Sequence, residues 1–251
     1  MNADRRNQII EMLGRQNTVS NAELMEKFNI SIETVRRDLA HLEKQGFLER
    51  VYGGATRKNF INSEPSYANR QQECSAEKRA IAEQAEKFIN PDDTVFFDLG
   101  TTVQEVAKKL PEAKRITAFT NSLRTAITLS EKGCKVIVPG GQLRNGEFAV
   151  SGSVAEDTMN IFNVDKIIVG VGGITKDGIT DFIVDEATLR SKVIKNAGKV
   201  IVVADYTKFG IRAMCNVCPL KDIDILITDE KAPKDMLKLF EKRGVKVIIA
   251  G

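Results

Sequence analysis

Apolar positions in the first 45 residues recur at helical spacing. Ile9, Ile10 and Leu13 share one face of a first helix over 4–16, with Arg5, Arg6 and Arg15 outside it. Asn17 and Thr18 break that helix. Ser20 then opens a second one as an N-cap, and Glu23 three residues later completes a capping box. Val19 and Leu24 stand at the two positions of a hydrophobic staple, and Ala22, Leu24, Met25 and Phe28 supply the inner face. Asn29-Ile30-Ser31 turns the chain, and Ser31 caps a third helix. Along it Ile32, Val35, Leu39 and Leu42 run i, i+3, i+7, i+10 as a single buried stripe. Gly46 ends it. Phe47–Val51, the turn Tyr52-Gly53-Gly54 and Ala55–Arg57 read as strand, glycine turn and return strand. Three helices and a hairpin predict a winged helix-turn-helix over residues 1–57.

Residues 58–73 are polar, contain Pro65 and show no sustained period, which predicts a linker. Ser75 caps an amphipathic helix that runs to about Ile89 and closes at Asn90-Pro91. From residue 94 the pattern changes to an alternation of strands and helices. Strands are predicted at Thr94–Asp98, Arg115–Thr120, Lys135–Pro139, Lys166–Val171, Lys199–Asp205, Ile223–Thr228 and Val245–Ala250. Helices are predicted near 102–110, 122–132, 153–161, 185–197 and 233–243. The strands are short continuous apolar runs, as required when helices cover both faces of a parallel sheet. Residues 74–251 therefore read as a doubly wound α/β domain.

Composition changes this picture little. Net charge is +3, and residues 1–58 hold ten Lys/Arg against eight Asp/Glu, so charge totals alone do not point to nucleic acid. No apolar run approaches the roughly 18–20 residues that span a bilayer, and Met1–Arg6 lacks the apolar core of a signal peptide. No membrane partner is expected, and the chain should stay in the cytoplasm. Cys215-x-x-Cys218 with one histidine in the whole chain cannot assemble a four-ligand zinc site of familiar spacing. Neither metal nor cofactor is expected, and the four cysteines read as free thiols in a reducing compartment.

The third helix carries the first candidate chemistry. At 100° per residue Arg37 points away from the buried stripe, with Glu33, Thr34, His41 and Lys44 nearby and Ser31 at the helix start. An arginine there can reach guanine O6/N7 in the major groove. Arg36 lies on the flank, placed for a DNA phosphate or for an ion pair with Asp38 or a neighbouring helix. Arg50, Tyr52, Arg57 and Lys58 on the wing can meet backbone or minor groove. The competing reading is a solvated charged helix in a protein-interaction module. It accounts less well for two capped helices, a short turn, an outward arginine and a Gly-Gly wing in one run.

The second candidate chemistry lies in loops at the carboxyl ends of the predicted strands, where open α/β sheets bind small molecules. Asp98-Leu99-Gly100-Thr101-Thr102 leads straight into a helix. Its glycine admits an anion, its hydroxyls donate, and the helix N-terminus adds N–H groups and partial positive charge. Thr120-Asn121-Ser122 opens another helix. Pro139-Gly140-Gly141-Gln142 and Gly170–Ile174 are glycine-rich, and Asp205 and Lys208 follow the next strand. Together they suggest a small phosphorylated ligand, although tight βα turns also need glycine for packing. Gly-x-x-x-x-Gly-Lys-Ser/Thr is absent, which argues against a P-loop. Gly170-x-Gly172 lacks the third glycine of the dinucleotide fingerprint, and no Ser-His-Asp set can form.

These residues resemble the DeoR family of bacterial repressors, the group that includes the glycerol-3-phosphate and lactose-pathway regulators. The N-terminal match is Arg5-x3-Ile9-x3-Leu13, Ser31-x2-Thr34-Val-Arg-Arg-Asp-Leu39 and Tyr52-Gly-Gly-Ala55. The C-terminal match is Asp98–Thr102, Thr120–Ser122, Pro139–Gly141, Asp185-Glu186 and Asp205–Gly210. The resemblance implies a repressor of a carbohydrate-catabolic operon that binds double-stranded operator DNA and is released by a phosphorylated sugar. It also implies a C-terminal domain similar to ribose-5-phosphate isomerase, and a homodimer or homotetramer. By that resemblance Gly100, Thr101 and Thr102 hold the phosphate, Lys208 is its counter-charge, and Asn121, Gly140, Gly141, Asp185 and Glu186 line the sugar pocket. The isomerase likeness also suggests a rival, a sugar-phosphate isomerase fused to a DNA module. That enzyme family uses an Asp-Gly-Ala-Asp stretch where this chain has Val169-Gly-Val-Gly172. Glycine and valine cannot serve as the carboxylate base of proton transfer, so no enzyme is expected.

Overall fold

The computed structural model describes residues 2–16, 18–44, 47–57, 64–112 and 115–251, and the chain divides after Pro65 into two units. In the first, helix α1 (Asn2–Gln16), strand β1 (Thr18–Ser20), helices α2 (Asn21–Phe28) and α3 (Ile32–Lys44) and strands β2 (Leu48–Val51) and β3 (Gly54–Arg57) form a winged helix-turn-helix. The Ser20 hydroxyl accepts from Glu23 N at 3.1 Å while Ser20 N reaches the Glu23 carboxylate at 3.5 Å, closing the capping box. Asn29, in the left-handed region at φ 49, ends α2 and makes the turn. Ile9, Leu13, Val19, Leu24, Val35, Leu39, Leu42 and Leu48 fill one core.

Two features of this unit were not read from sequence. Thr18–Ser20 is a strand, not a helix break alone, and pairs antiparallel with β3 to give the sheet order β1-β3-β2. A Cβ on Gly54 would stand 2.0 Å from the Val19 carbonyl oxygen, so only glycine lets these strands close. Second, Asp38 is buried and takes Arg5 at 2.6 Å and Arg6 at 2.8 Å. The two α1 arginines assigned to the outer face instead clamp α1 to α3. The expectation that Arg36 could pair with Asp38 fails, because helical residues two positions apart do not face each other. Removing one side of such a buried pair typically costs about 3–5 kcal/mol, so Asp38 fixes the pose of the exposed arginine helix. Asn17, Gly46, Lys58 and the side chains of Arg15, Lys44 and Arg57 lie outside the described residues.

The second unit opens with a helix where a linker was expected. Residues 58–63 lie outside the described residues, but α4 (Tyr67–Gln72) is a helix capped by Ser66, whose hydroxyl accepts from Asn69 N at 3.4 Å. Six residues are too few to display a 3.6-residue period, and Arg70 is held by a tertiary ion pair. Helix α5 (Ser75–Glu86) follows. Strand β4 (Thr94–Phe97), helix α6 (Thr101–Lys109), β5 (Thr117–Thr120), α7 (Leu123–Glu131) and β6 (Lys135–Ile137) build one side of a sheet. A hairpin of β7 (Gln142–Arg144) and β8 (Ala149–Ser151) leads to α8 (Ser153–Asn160) and β9 (Lys166–Val169). The strands β10 (Gly173–Ile174) and β11 (Gly178–Asp181) precede α9 (Val184–Lys195) and β12 (Val200–Val203). Then come β13 (Cys215–Pro219), β14 (Ile225–Asp229), α10 (Lys234–Lys242) and β15 (Lys246–Ala250).

Seven of these strands form one parallel sheet in the order β15-β14-β12-β9-β4-β5-β6. Alternate residues face opposite layers. Phe96, Ile167 and Val202 pack with α8, α9 and α10, while Val95, Phe97, Ile168 and Ile201 pack with α5, α6 and α7. The chain winds outward from β4 through β5 to β6, then returns beside β4 with β9. The strand order therefore reverses between β4 and β9, and at such a switch point the crossovers diverge and leave a crevice at the carboxyl ends.

Candidate functional site

In the winged unit, Arg36 and Arg37 are both exposed on α3, and neither has a hydrogen-bond or ion-pair partner among the described residues. Glu33 and His41 share the exposed face and Thr34 is half-buried beside them. Ser31 is occupied as a cap, its hydroxyl accepting from Thr34 N at 3.4 Å and lying 3.2 Å from Thr34 Oγ1. On the wing, Tyr52 is fully exposed at the β2–β3 turn. Arg50 is already paired with Glu43 through Nε at 2.6 Å.

In the larger unit the switch point holds the Asp98–Thr102 loop. Gly100 is the N-cap of α6 at φ 133, a conformation that favours glycine, and a Cβ there would meet nothing within 4 Å. The backbone thus faces open space at a helix N-terminus, where the first N–H groups have no intrahelical partner. Thr101 and Thr102 are buried behind it, and the Thr101 hydroxyl donates to the Arg70 carbonyl at 3.5 Å.

Two ammonium groups belong to this end of the molecule. Lys78, on the apolar side of α5 with Ile81 and Ala82, is only 3% exposed. Its Nζ donates to the Arg70 carbonyl and, at 2.7 Å, to the Glu73 carbonyl. No carboxylate lies within 4 Å of it among the described residues. Burial pulls its pKa below the ordinary lysine value, with Asp205 opposing and Lys208 adding to that shift. Lys208 ends a 3-10 turn after β12, half-exposed and without an ion-pair partner among the described residues. Asp205 caps that turn, taking the Thr207 N–H at 3.0 Å and its hydroxyl. Burial, with Asp205 adding to it, pushes the Cys74 thiol up to about 12, so that cysteine stays protonated and unreactive.

Asn121, one position beyond β5 and next to β4, is 1% exposed, and its Oδ1 has no hydrogen-bond partner among the described residues. A buried carbonyl left that way costs free energy until a donor arrives. Gly140 and Gly141 lie exposed in the loop between β6 and β7. Gly141, at φ 136, is required there because a Cβ would stand 2.5 Å from the Ser151 carbonyl oxygen. Asp185 is exposed in the first turn of α9.

Three expected site residues are engaged by the protein itself. Asp98 is 1% exposed, ion-paired with Arg190 and bonded by Gly170 N at 3.2 Å. Burial nevertheless raises its pKa, against the pull of Arg190. Ser122 is the N-cap of α7, accepting from Thr125 N at 3.3 Å. Glu186 is buried against Arg144, at 2.6 and 3.1 Å. The Gly170–Ile174 stretch differs more. It enters the antiparallel sheet β10-β11-β13, not a helix, so it offers no anion-binding helix start. Its glycines answer packing: a Cβ on Gly170 would meet the Leu99 carbonyl oxygen at 2.8 Å, and one on Gly173 the Ile211 carbonyl oxygen at 2.3 Å. The cysteines are thiols with no disulfide among the described residues, and no group of three potential metal ligands occurs there.

A cationic wall beside the loops was not anticipated. Arg70 of α4 pairs with Glu147 at 2.5 Å in the β7–β8 turn. Arg124 lies between Tyr67 and Phe148, at 4.4 and 4.6 Å from the ring centroids, and donates to the Gly146 carbonyl at 3.4 Å. The one available signal was Lys78, which stands three and four residues before Ile81 and Ala82 on an apolar stripe.

Comparison with known proteins matches residues 5–59 to the DeoR-like helix-turn-helix domain and residues 73–230 to the DeoR C-terminal sensor domain. A relative from Haloferax volcanii, the HTH-type transcriptional regulator GlpR, is 35% identical over 98% of this chain and 97% of its own. The glycerol-3-phosphate regulon repressor of Escherichia coli K12 is 32% identical over 97% of both. Among solved structures, ribose 5-phosphate isomerase A from Neisseria gonorrhoeae aligns with a TM-score of 0.38 and 17% identity, over 54% of this chain and 53% of that one. No helix among the described residues is long and apolar enough to cross a membrane. With both units matched and the similarity running almost end to end, the chain belongs to the DeoR family: it is a DNA-binding transcriptional repressor and not an enzyme.

Proposed function

We propose that this repressor controls a carbohydrate-catabolic operon and leaves its operator when a phosphorylated sugar or polyol occupies the switch-point crevice. The observation that carries the reading is the glycine-started helix N-terminus at Gly100, open to solvent, in a unit where neither Lys78 nor Lys208 has a carboxylate partner among the described residues. A dianionic phosphate at that N-terminus satisfies free N–H groups and lies along the helix dipole. Gly100, Thr101 and Thr102 hold the phosphate with Lys208 as counter-charge. Asn121 Oδ1 accepts from a sugar hydroxyl, and Gly140, Gly141 and Asp185 line the far side. Asp98, Ser122 and Glu186 hold the loops in place.

On the DNA side, Arg37 reads a base in the major groove, Arg36 and Arg50 neutralise phosphates, and Tyr52 contacts the backbone from the wing. One winged unit grips DNA weakly. A homodimer or homotetramer sets two recognition helices roughly 34 Å apart over a repeated or palindromic site. Exposed Val154 on α8 and Ile161 at its C-cap supply apolar surface for such an assembly.

Thermal denaturation against pairs of phosphorylated and unphosphorylated sugars and polyols tests the effector. At least one phosphorylated member should raise the melting temperature, by the equivalent of about 2.7 kcal/mol at a hundred times its dissociation constant. Equal shifts from its unphosphorylated twin, or none from any phosphorylated compound, would contradict the reading.

A further inference from the structure

We propose that Lys78 is the coupling residue: its ammonium exchanges the Arg70 and Glu73 carbonyls for the effector phosphate, and that exchange releases helix α4. The inference rests on reading the Gly100–Thr102 loop as the phosphate site and adds how occupancy leaves that site.

Lys78 is a buried cation held by neutral oxygens alone, without a carboxylate within 4 Å among the described residues. A charge so placed is poorly compensated and gains most from an arriving anion. Its first acceptor, the Arg70 carbonyl, also takes the Thr101 hydroxyl of the phosphate loop. One carbonyl of α4 therefore occupies two donors that a phosphate at Gly100 would claim.

For α4 those donors are its C-terminal satisfaction. The last four carbonyls of a helix have no intrahelical partner, and in six residues ending at Gln72 the Arg70 carbonyl is one of them. A helix this short does not persist alone. Without Lys78 and Thr101 it keeps only the buried Arg70–Glu147 pair and the Tyr67–Arg124 stack among the contacts described above. Because α4 begins two residues after Pro65, its loosening reaches the connection to the winged unit through the chain itself. The ligand thus favours the state in which α4 is free, as differential binding requires.

The test uses the full chain, inorganic phosphate as the probe, calorimetry for binding and hydrogen exchange for the amides of Arg70 and Glu73. Saturating phosphate should speed exchange at those amides in the wild type by about tenfold or more. Lys78→Met should bind phosphate about tenfold more weakly or worse and show the fast exchange already without it. Lys208→Met should also lose phosphate affinity but keep both amides protected. If Lys78→Met fails to fold, the wild-type exchange result decides alone. Unchanged or greater protection in phosphate-saturated wild type overturns the inference and leaves the phosphate loop standing. So does phosphate affinity lost in Lys208→Met but intact in Lys78→Met. No phosphate binding by the wild type at about 20 mM overturns both.

Discussion

Replacing Arg37 with alanine removes specific operator binding and leaves the sensor unit untouched. The side chain is exposed on α3, opposite the stripe of Val35, Leu39 and Leu42, and nothing described in the protein holds it. Its loss therefore costs the fold nothing identifiable, whereas a bidentate arginine–guanine contact discriminates by about 1–3 kcal/mol. In a two-fold complex the loss occurs twice, about 2–6 kcal/mol or thirty-fold upward, which brings the operator close to unrelated DNA. Arg36→Ala should behave differently. A phosphate contact carries no sequence information, so affinity falls similarly for operator and unrelated duplex and the salt dependence flattens by about one contact. Fluorescence anisotropy with a duplex selected by the wild type from a random pool measures both. If Arg37→Ala also lost effector binding or melted early, the residue would be structural and the assignment wrong.

Lys208→Ala gives the second large effect: a repressor that binds operator normally but is not released. Lys208 does not belong to the DNA-binding unit and holds none of the α4 carbonyls, so operator affinity without effector should match the wild type. The effector, in contrast, loses a charge-assisted contact. With about 1.5–3 kcal/mol at stake for a hydrogen bond to a charged group, the effector concentration for half-release should rise roughly ten- to a hundred-fold. Normal induction of this variant would place the phosphate elsewhere.

Much of this architecture was legible because its elements obey one period each. The seven parallel strands are covered on both faces, so they appear as unbroken apolar runs, and β4, β9, β12 and β14 fall where those runs fall. The capping box at Ser20 and the turn at Asn29 are local signals and need no tertiary context. What escaped is short or depends on partners distant in sequence. Six residues of α4 and two- to three-residue strands such as β1, β7 and β10 carry no readable period. Asp38 stands two residues after Arg36 in sequence, yet its partners come from α1, more than 30 residues away.

The proposed site was legible as loops and less so as roles. Gly100 and Thr101 stand where a strand passes into a helix, an order the sequence displays, and Lys208 stands in the turn after β12. Asp98 and Glu186 looked equally available in the sequence. Only packing shows that Arg190 and Arg144 consume them. The glycines of Gly170–Ile174 illustrate the same ambiguity, since close packing and anion binding call for the same residue. Lys78 is the counterexample: a lysine on an apolar stripe is a local anomaly, and it marks the buried cation.

The central claim, that a phosphorylated sugar releases this repressor from DNA, is tested most directly by one titration of the wild-type operator complex. Fluorescence anisotropy should fall to the free-duplex value as a phosphorylated sugar or polyol that stabilises the protein is added, and stay unchanged with its unphosphorylated twin. A complex that holds at ligand saturation, or that both compounds dissolve alike, would contradict it.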